Sequence, residues 1–205
     1  MRTLLCIVTA TVLLGGVSSA QNLLTNGSFE SPDVAPGTAE LFASIPGWTS
    51  NGCPIEVQDN CCGSPSDGAQ HVELDSDNCA TSISQTVATQ SGAKYVLSFD
   101  FAPRPGVFDN HVIVSWNGSQ VFELEQIGPG GDVAWQHHSA VVTATGSTST
   151  VEFAGADAAD GVGSYLDNLP EPGRTAQLAA GLSLLAGLTF LRRRTLRSRP
   201  RGRSR

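Results

Sequence analysis

Tyr95, Leu97, Phe99 and Phe101 alternate with Val96, Ser98 and Asp100, and a period of two is the spacing of side chains on one face of an extended strand. No stretch between residues 21 and 169 offers a rival period of 3.6. Further β-prone runs lie at 111–116 and 120–124, on either side of Asn117-Gly118, a dipeptide suited to the positive-φ corner of a two-residue hairpin. Residues 141–145 and 148–153 read as a second pair around Gly146-Ser147, and shorter strands fit 55–58, 70–74 and 82–87. Many short strands punctuated by Gly, Pro, Asn and Ser give an all-β fold, an antiparallel β-sandwich, with a closed barrel as the alternative.

Both ends carry a different pattern. Arg2, an apolar run over 4–17, and the small residues Ser18-Ser19-Ala20 have the three parts of a secretion signal over 1–20. At the other end Pro170-Glu171-Pro172 precedes an apolar segment at 176–191, and Arg192-Arg193-Arg194 follows it. Basic residues after an apolar segment hold that end in the cytoplasm, although the segment is short for a permanent span. This order of parts resembles the PEP-CTERM sorting signal of Gram-negative bacteria over 170–194, with a basic cytoplasmic tail at 195–205. The resemblance implies that an exosortase cuts near Pro170, Glu171 and Pro172. It also implies transient residence in the inner membrane, then release to the cell surface or extracellular matrix.

The segment between the signals, 21–169, has the length of one ordinary domain. The whole chain is net −7, but Lys94 and Arg104 are the only bases of this segment against eighteen acids, a net charge of −16. Such a charge disfavours nucleic acid and anionic membranes as partners. Four cysteines lie in the segment: Cys53, Cys61, Cys62 and Cys79. An even count in an exported chain predicts two disulfides. Bonding Cys61 to its neighbour Cys62 requires a small strained ring. That leaves Cys53–Cys61 with Cys62–Cys79, or Cys53–Cys62 with Cys61–Cys79. No paired C-x₂-C spacing supports the rival use in a zinc site.

The segment opens Asn22-Leu23-Leu24-Thr25-Asn26-Gly27-Ser28-Phe29-Glu30 and closes Tyr165-Leu166-Asp167-Asn168-Leu169. This pairing resembles the galactose-binding-like jelly roll of many carbohydrate-binding modules, in which first and last strands adjoin. Ile45-Pro46-Gly47-Trp48, Ile55-Glu56-Val57-Gln58, Val72-Glu73-Leu74-Asp75 and Phe101-Ala102-Pro103-Arg104-Pro105-Gly106 add a narrower likeness. Together they resemble the bacterial choice-of-anchor proteins related to the plant cell-wall family of domain-of-unknown-function type 642. The jelly-roll resemblance implies a structural calcium ion joining the ends of the domain. Glu30, Asp67 and Asp167 would supply carboxylates, and Gly27 and Ser28 backbone carbonyls, toward the six to eight oxygens calcium prefers.

A search for catalytic chemistry finds no G-x-S-x-G, H-E-x-x-H or phosphate-cradling motif. His71, Glu73 and Asp75 share one face of a strand; a polar outer face opposite Val72 and Leu74 explains them more simply than acid–base work. Glu123 and Glu125 share a face but flank nothing, which argues against a glycoside hydrolase. His137 and His138 point to opposite faces of one strand. Trp48 and Trp116 read as core residues, whereas Trp135, after Gly128-Pro129-Gly130-Gly131, is the tryptophan best placed to stack on a sugar ring. Arg104, in a proline-rich loop, is a candidate to bind an acidic sugar or carboxylate. The expected product is a non-catalytic, surface-sorted module whose partner is cell-surface or extracellular polysaccharide. The alternative is an adhesive protein that binds other proteins and has no sugar site.

Overall fold

The structure is a computed structural model that describes residues 23–169. The expected secretion signal, sorting motif, arginine cluster and basic tail lie outside the described residues. Fourteen strands follow in chain order: β1 (Thr38–Phe42), β2 (Ser44–Ile45), β3 (Trp48–Ser50), β4 (Ile55–Asp59), β5 (Gln70–Glu73), β6 (Asp75–Ser76), β7 (Cys79–Ala80), β8 (Ser82–Ala88), β9 (Lys94–Ala102), β10 (Asn110–Trp116), β11 (Ser119–Gln126), β12 (Gln136–Thr143), β13 (Thr148–Gly155) and β14 (Tyr165–Asp167). They form an antiparallel β-sandwich of jelly-roll type. One sheet runs β1-β4-β5-β14-β9-β12, the other β11-β10-β13-β8-β3-β2, and β6-β7 is a small separate hairpin.

The alternation in β9 has the predicted outcome: Phe99 and Phe101 are wholly buried between the sheets. Phe99 meets Phe153 of the opposite sheet edge-on at 5.1 Å, and Trp48 bridges Phe153 and Phe29. Trp48 and Trp116 are core residues as expected, 1% and 8% exposed. The β10–β11 hairpin turns on Asn117 and Gly118, both at positive φ (51° and 74°), as a primed turn requires.

Two expectations are corrected. The strands flanking Gly146-Ser147 do not pair with each other. β12 pairs with β9 in one sheet and β13 with β8 and β10 in the other, so this turn carries the chain across the sandwich. A local turn signal cannot distinguish the two, because both need the same short reversal. The opening segment 23–30 forms turns and no strand. It still adjoins the end of the domain: the Leu169 amide donates to the Gly27 carbonyl at 3.0 Å, and a Cβ on Gly27 would strike that same Leu169 carbonyl.

Candidate functional site

The register of the first sheet decides which side chains meet. Glu73 of β5 lies opposite Glu56 of β4 and Tyr165 of β14, and Tyr165 lies opposite Ala102 of β9. In the next row, His71 opposes Gln58, while Asp100 opposes both Asp167 and His137. By alternation these residues share the face turned away from the core. That face is not open to water. His71, Glu73, Gln58, Tyr165 and Asp167 are all 0% exposed. The expectation that His71, Glu73 and Asp75 form a solvated outer face is therefore corrected: this part of the sandwich carries a third layer made of loops.

The 60–69 loop is the main cover, and it is tied down along its length. The Tyr165 hydroxyl donates to the Cys62 carbonyl at 3.1 Å, and the Trp135 indole N–H to the Ser64 carbonyl at 2.8 Å. The Ser66 and Asp67 amides both donate to Asp167 Oδ2 at 2.8 Å, and the Ser66 hydroxyl donates to Asp100. Gly63 lies against Val133, at a point where any Cβ would collide with that side chain. Glycine is required here by the close approach of two loops.

Beneath the cover is an aromatic group. His71 lies 4.5 Å from Tyr165 with the rings tilted at 57° and meets Trp135 edge-on at 5.7 Å, while Trp135 and Tyr165 lie 6.4 Å apart. The Arg104 guanidinium sits 5.9 Å from the centre of the Tyr165 ring, within cation–π range. Arg104 and Trp135, singled out separately from the sequence, thus flank one tyrosine. Arg104 also forms an ion pair with Glu73, and the Gly163 amide donates to the same Glu73 oxygen at 2.6 Å. Gln58 donates to the other oxygen of Glu73 and to Glu56.

Burial dominates the electrostatics. It pushes the Glu73 carboxyl up to about 7, against the opposing pull of the Gly163 amide and Arg104. It pushes the His71 imidazole down to about 4, with Arg104 adding to the effect. Among the described residues neither ring nitrogen of His71 has a hydrogen-bond partner, so it serves as a neutral aromatic wall at neutral pH. Burial also raises Asp167 to about 7 despite its three amide donors. For Asp100 burial works upward, but the Ser66, Asn168 and His137 hydrogen bonds win and hold it below the usual carboxylate range.

Glu73 has the perturbed acidity of a catalytic group. It is sealed behind Arg104, however, and a general acid must reach the proton it transfers. Glu123 and Glu125 are exposed, as expected. His137 faces outward and contacts Asp100 at 2.7 Å, while His138 turns inward to stack on Phe99, the opposite-face placement that adjacent strand residues require.

The residues expected to hold calcium take up other work. Glu30 Oε1 accepts the Ala69 and Gln70 amides at 2.8 and 3.0 Å, Asp167 accepts the Ser66, Asp67 and Asn168 amides, and Asp67 accepts the Ser28 hydroxyl. Among the described residues no group of three or more His, Cys, Asp or Glu is arranged to hold a metal ion. A calcium ion at this donor set would have to share or displace these bonded oxygens.

The cysteine pairing is also corrected. Cys53 is bonded to Cys79, and Cys61 and Cys62 are free. The hairpin β6–β7 folds onto the segment before β4, where the Ser76 and Thr81 hydroxyls donate to the Pro54 carbonyl, and this brings Cys79 to Cys53.

A family model described as a protein of unknown function, DUF642, matches residues 22–169. A multifunctional-autoprocessing repeats-in-toxin of Vibrio vulnificus is 31% identical over 170 residues, covering 81% of this chain. A homologous toxin of Vibrio cholerae is 33% identical over 165 residues. The chain spans only about 3% of the length of these curated relatives. Among solved structures, a cyclase from Fischerella sp. TAU superposes with a TM-score of 0.53 at 14% identity, over 75% of this chain and 98% of that one. A family 35 carbohydrate-binding module from an environmental isolate gives 0.43 at 19%, over 55% and 79%. At 14% identity the cyclase speaks to the fold alone.

Proposed function

We propose that this chain, which belongs to the DUF642 family across its whole described sandwich, is a non-catalytic carbohydrate-binding module. The observation that carries the reading is the convergence of Trp135 and Arg104 on Tyr165. Aromatic faces provide apolar platforms for the C–H face of a sugar ring, and a planar guanidinium offers several fixed donors to its hydroxyls. Among the described residues the guanidinium donates to Glu73, which leaves further N–H groups of its five to meet a ligand. Both outer residues are partly exposed; the Arg104 side chain is 22% accessible.

The Arg104–Glu73 pair neutralises itself, and the domain around it carries a net −16, two bases against eighteen acids. These charges favour a neutral polysaccharide over a polyanionic one. Enzymatic use of the site is disfavoured because its acidic group is enclosed. Delivery to the surface belongs to the same proposal. It rests on the secretion signal over 1–20, and on Pro170-Glu171-Pro172 with Arg192, Arg193 and Arg194, as an exosortase substrate of a Gram-negative envelope. A glycan array probed with the protein tests the binding. Specific retention on a neutral polysaccharide, lost with Trp135→Ala, supports it; a silent array together with a captured protein ligand supports the adhesive alternative.

A further inference from the structure

The geometry points to a second disulfide, between the adjacent residues Cys61 and Cys62, that acts as a redox latch on the loop covering Tyr165. The inference rests on the site described above for its functional consequence, but not for the bond itself. The two sulfurs lie 2.9 Å apart, and Cys53 and Cys79 are already bonded to each other. No other cysteine of the domain remains for Cys61 or Cys62 to pair with. The pair also occupies a decisive position. The Cys62 carbonyl receives the Tyr165 hydroxyl, Gly63 is wedged against Val133, and the Ser64 carbonyl receives the Trp135 indole. Cys62 and Ser64 thus hold the loop to Tyr165 and Trp135, with Gly63 between them packed on Val133.

Closing a ring between Cys61 and Cys62 fixes the backbone on which those contacts depend. Opening it releases the loop to move away from Tyr165 and Trp135. The oxidant would be a small disulfide such as oxidised glutathione. The exposed Cys62 thiolate attacks one sulfur of the oxidant, which expels one thiol and forms a mixed disulfide. The Cys61 thiolate then attacks the Cys62 sulfur and expels the second thiol. The protein loses two electrons and two protons, and both end on the two small thiols released. Cys61 is half-buried, and burial together with its neighbour pushes its thiol up to about 12, so its attack is the slow second step. A small-ring, surface disulfide is also of the kind most easily reduced, which makes it reversible under conditions that leave Cys53–Cys79 intact.

The test uses wild-type protein equilibrated with glutathione mixtures from reducing to oxidising, without any sugar. Alkylation and mass mapping are expected to show Cys61 and Cys62 both labelled at the reducing end. At the oxidising end neither should be labelled, and a Cys61–Cys62 peptide should be lighter by a pair of hydrogens. The tryptophan emission should shift over the same transition, with the shift absent in Trp135→Phe and in the double variant Cys61→Ser/Cys62→Ser. Persistence of both thiols in excess oxidant, or capture only as mixed disulfides or intermolecular dimers, overturns the bond. Formation of the bond with unchanged Trp135 emission overturns the latch. A silent glycan array leaves both results standing, so failure of the sugar reading is distinguishable from failure of this one.

Discussion

His71→Phe isolates the cost of a buried imidazole. The wild-type ring is wholly enclosed, neither nitrogen has a partner among the described residues, and Tyr165 lies 4.5 Å away. Phenylalanine keeps the aromatic contact and forfeits no hydrogen bond, so at neutral pH the variant should be as stable as wild type or slightly more so. In acid the two should diverge. Burial lowers the folded-state pKa of His71 from 6.5 to about 4. Between those values the unfolded chain binds a proton that the folded chain refuses. Stability from this group is therefore complete above 6.5 and is lost as pH falls toward about 4. At about 1.4 kcal/mol per pKa unit the ceiling is about 3 kcal/mol, of which about 2 kcal/mol is gone by pH 5. Glu73 works in the opposite sense. Its carboxyl is raised from 4.5 to about 7, so its contribution is present below 4.5 and is lost as pH rises through about 7. The raw wild-type profile mixes the two, and the informative quantity is variant minus wild type. Chemical denaturation near pH 7.5 and near pH 5 should show His71→Phe gaining about 2 kcal/mol on wild type at the lower pH, or roughly 4–8 °C in Tm for a domain of this size. A difference that does not change with pH would refute the claim that His71 is held neutral by burial.

Arg104→Ala should cost about 2–3 kcal/mol near pH 8, the screened end of the range for breaking a buried pair, and less near pH 5, where Glu73 carries its own proton; urea melts at both values check this. Cys53→Ser/Cys79→Ser should cost about 3 kcal/mol on the loop-entropy model, read by thermal melting in non-reducing buffer. Melts in calcium and in chelator should coincide if the amide bonds to Glu30 Oε1 and Asp167 persist; a difference of several degrees that vanishes in Asp167→Ala would show that an ion shares or displaces them. Intact mass of protein from its native host should show a new C-terminus near Pro170 to Pro172, and recovery of Arg205 on surface protein would rule out the sorting cut.

The alternation at 95–101 and the Asn117-Gly118 corner were readable in the sequence because each is a local rule with one outcome. Trp135 and Arg104 were also visible as residues, one after a glycine-rich loop and one as a rare base. Their shared approach to Tyr165 was not visible, because it depends on β14 inserting between β5 and β9, a pairing across many residues that no local pattern encodes. The same holds for His71 and Glu73. Their period of two assigns them to the face opposite Val72, but whether that face meets water is decided by the 60–69 loop and by the β13–β14 connection that contains Gly163. The cysteines failed for a related reason. Excluding Cys61–Cys62 on ring strain forced Cys53 toward the wrong partners, whereas the β6–β7 hairpin carries Cys79 to it directly. The likeness to jelly rolls implies a strand at the opening of the domain; the segment forms turns instead and keeps its place beside Leu169 through one backbone hydrogen bond and a glycine contact.

The central claim is that Trp135 and Arg104 form one sugar site around Tyr165. Affinity for the neutral polysaccharide that scores highest on the array should be measured by calorimetry for wild type, Trp135→Ala, Arg104→Lys and the exposed control Glu125→Gln. The account predicts that each of the first two substitutions weakens binding about tenfold or more, that the control leaves it unchanged, and that wild type binds sulfated and uronic polymers more weakly than neutral ones. Undiminished binding in both Trp135→Ala and Arg104→Lys would contradict it.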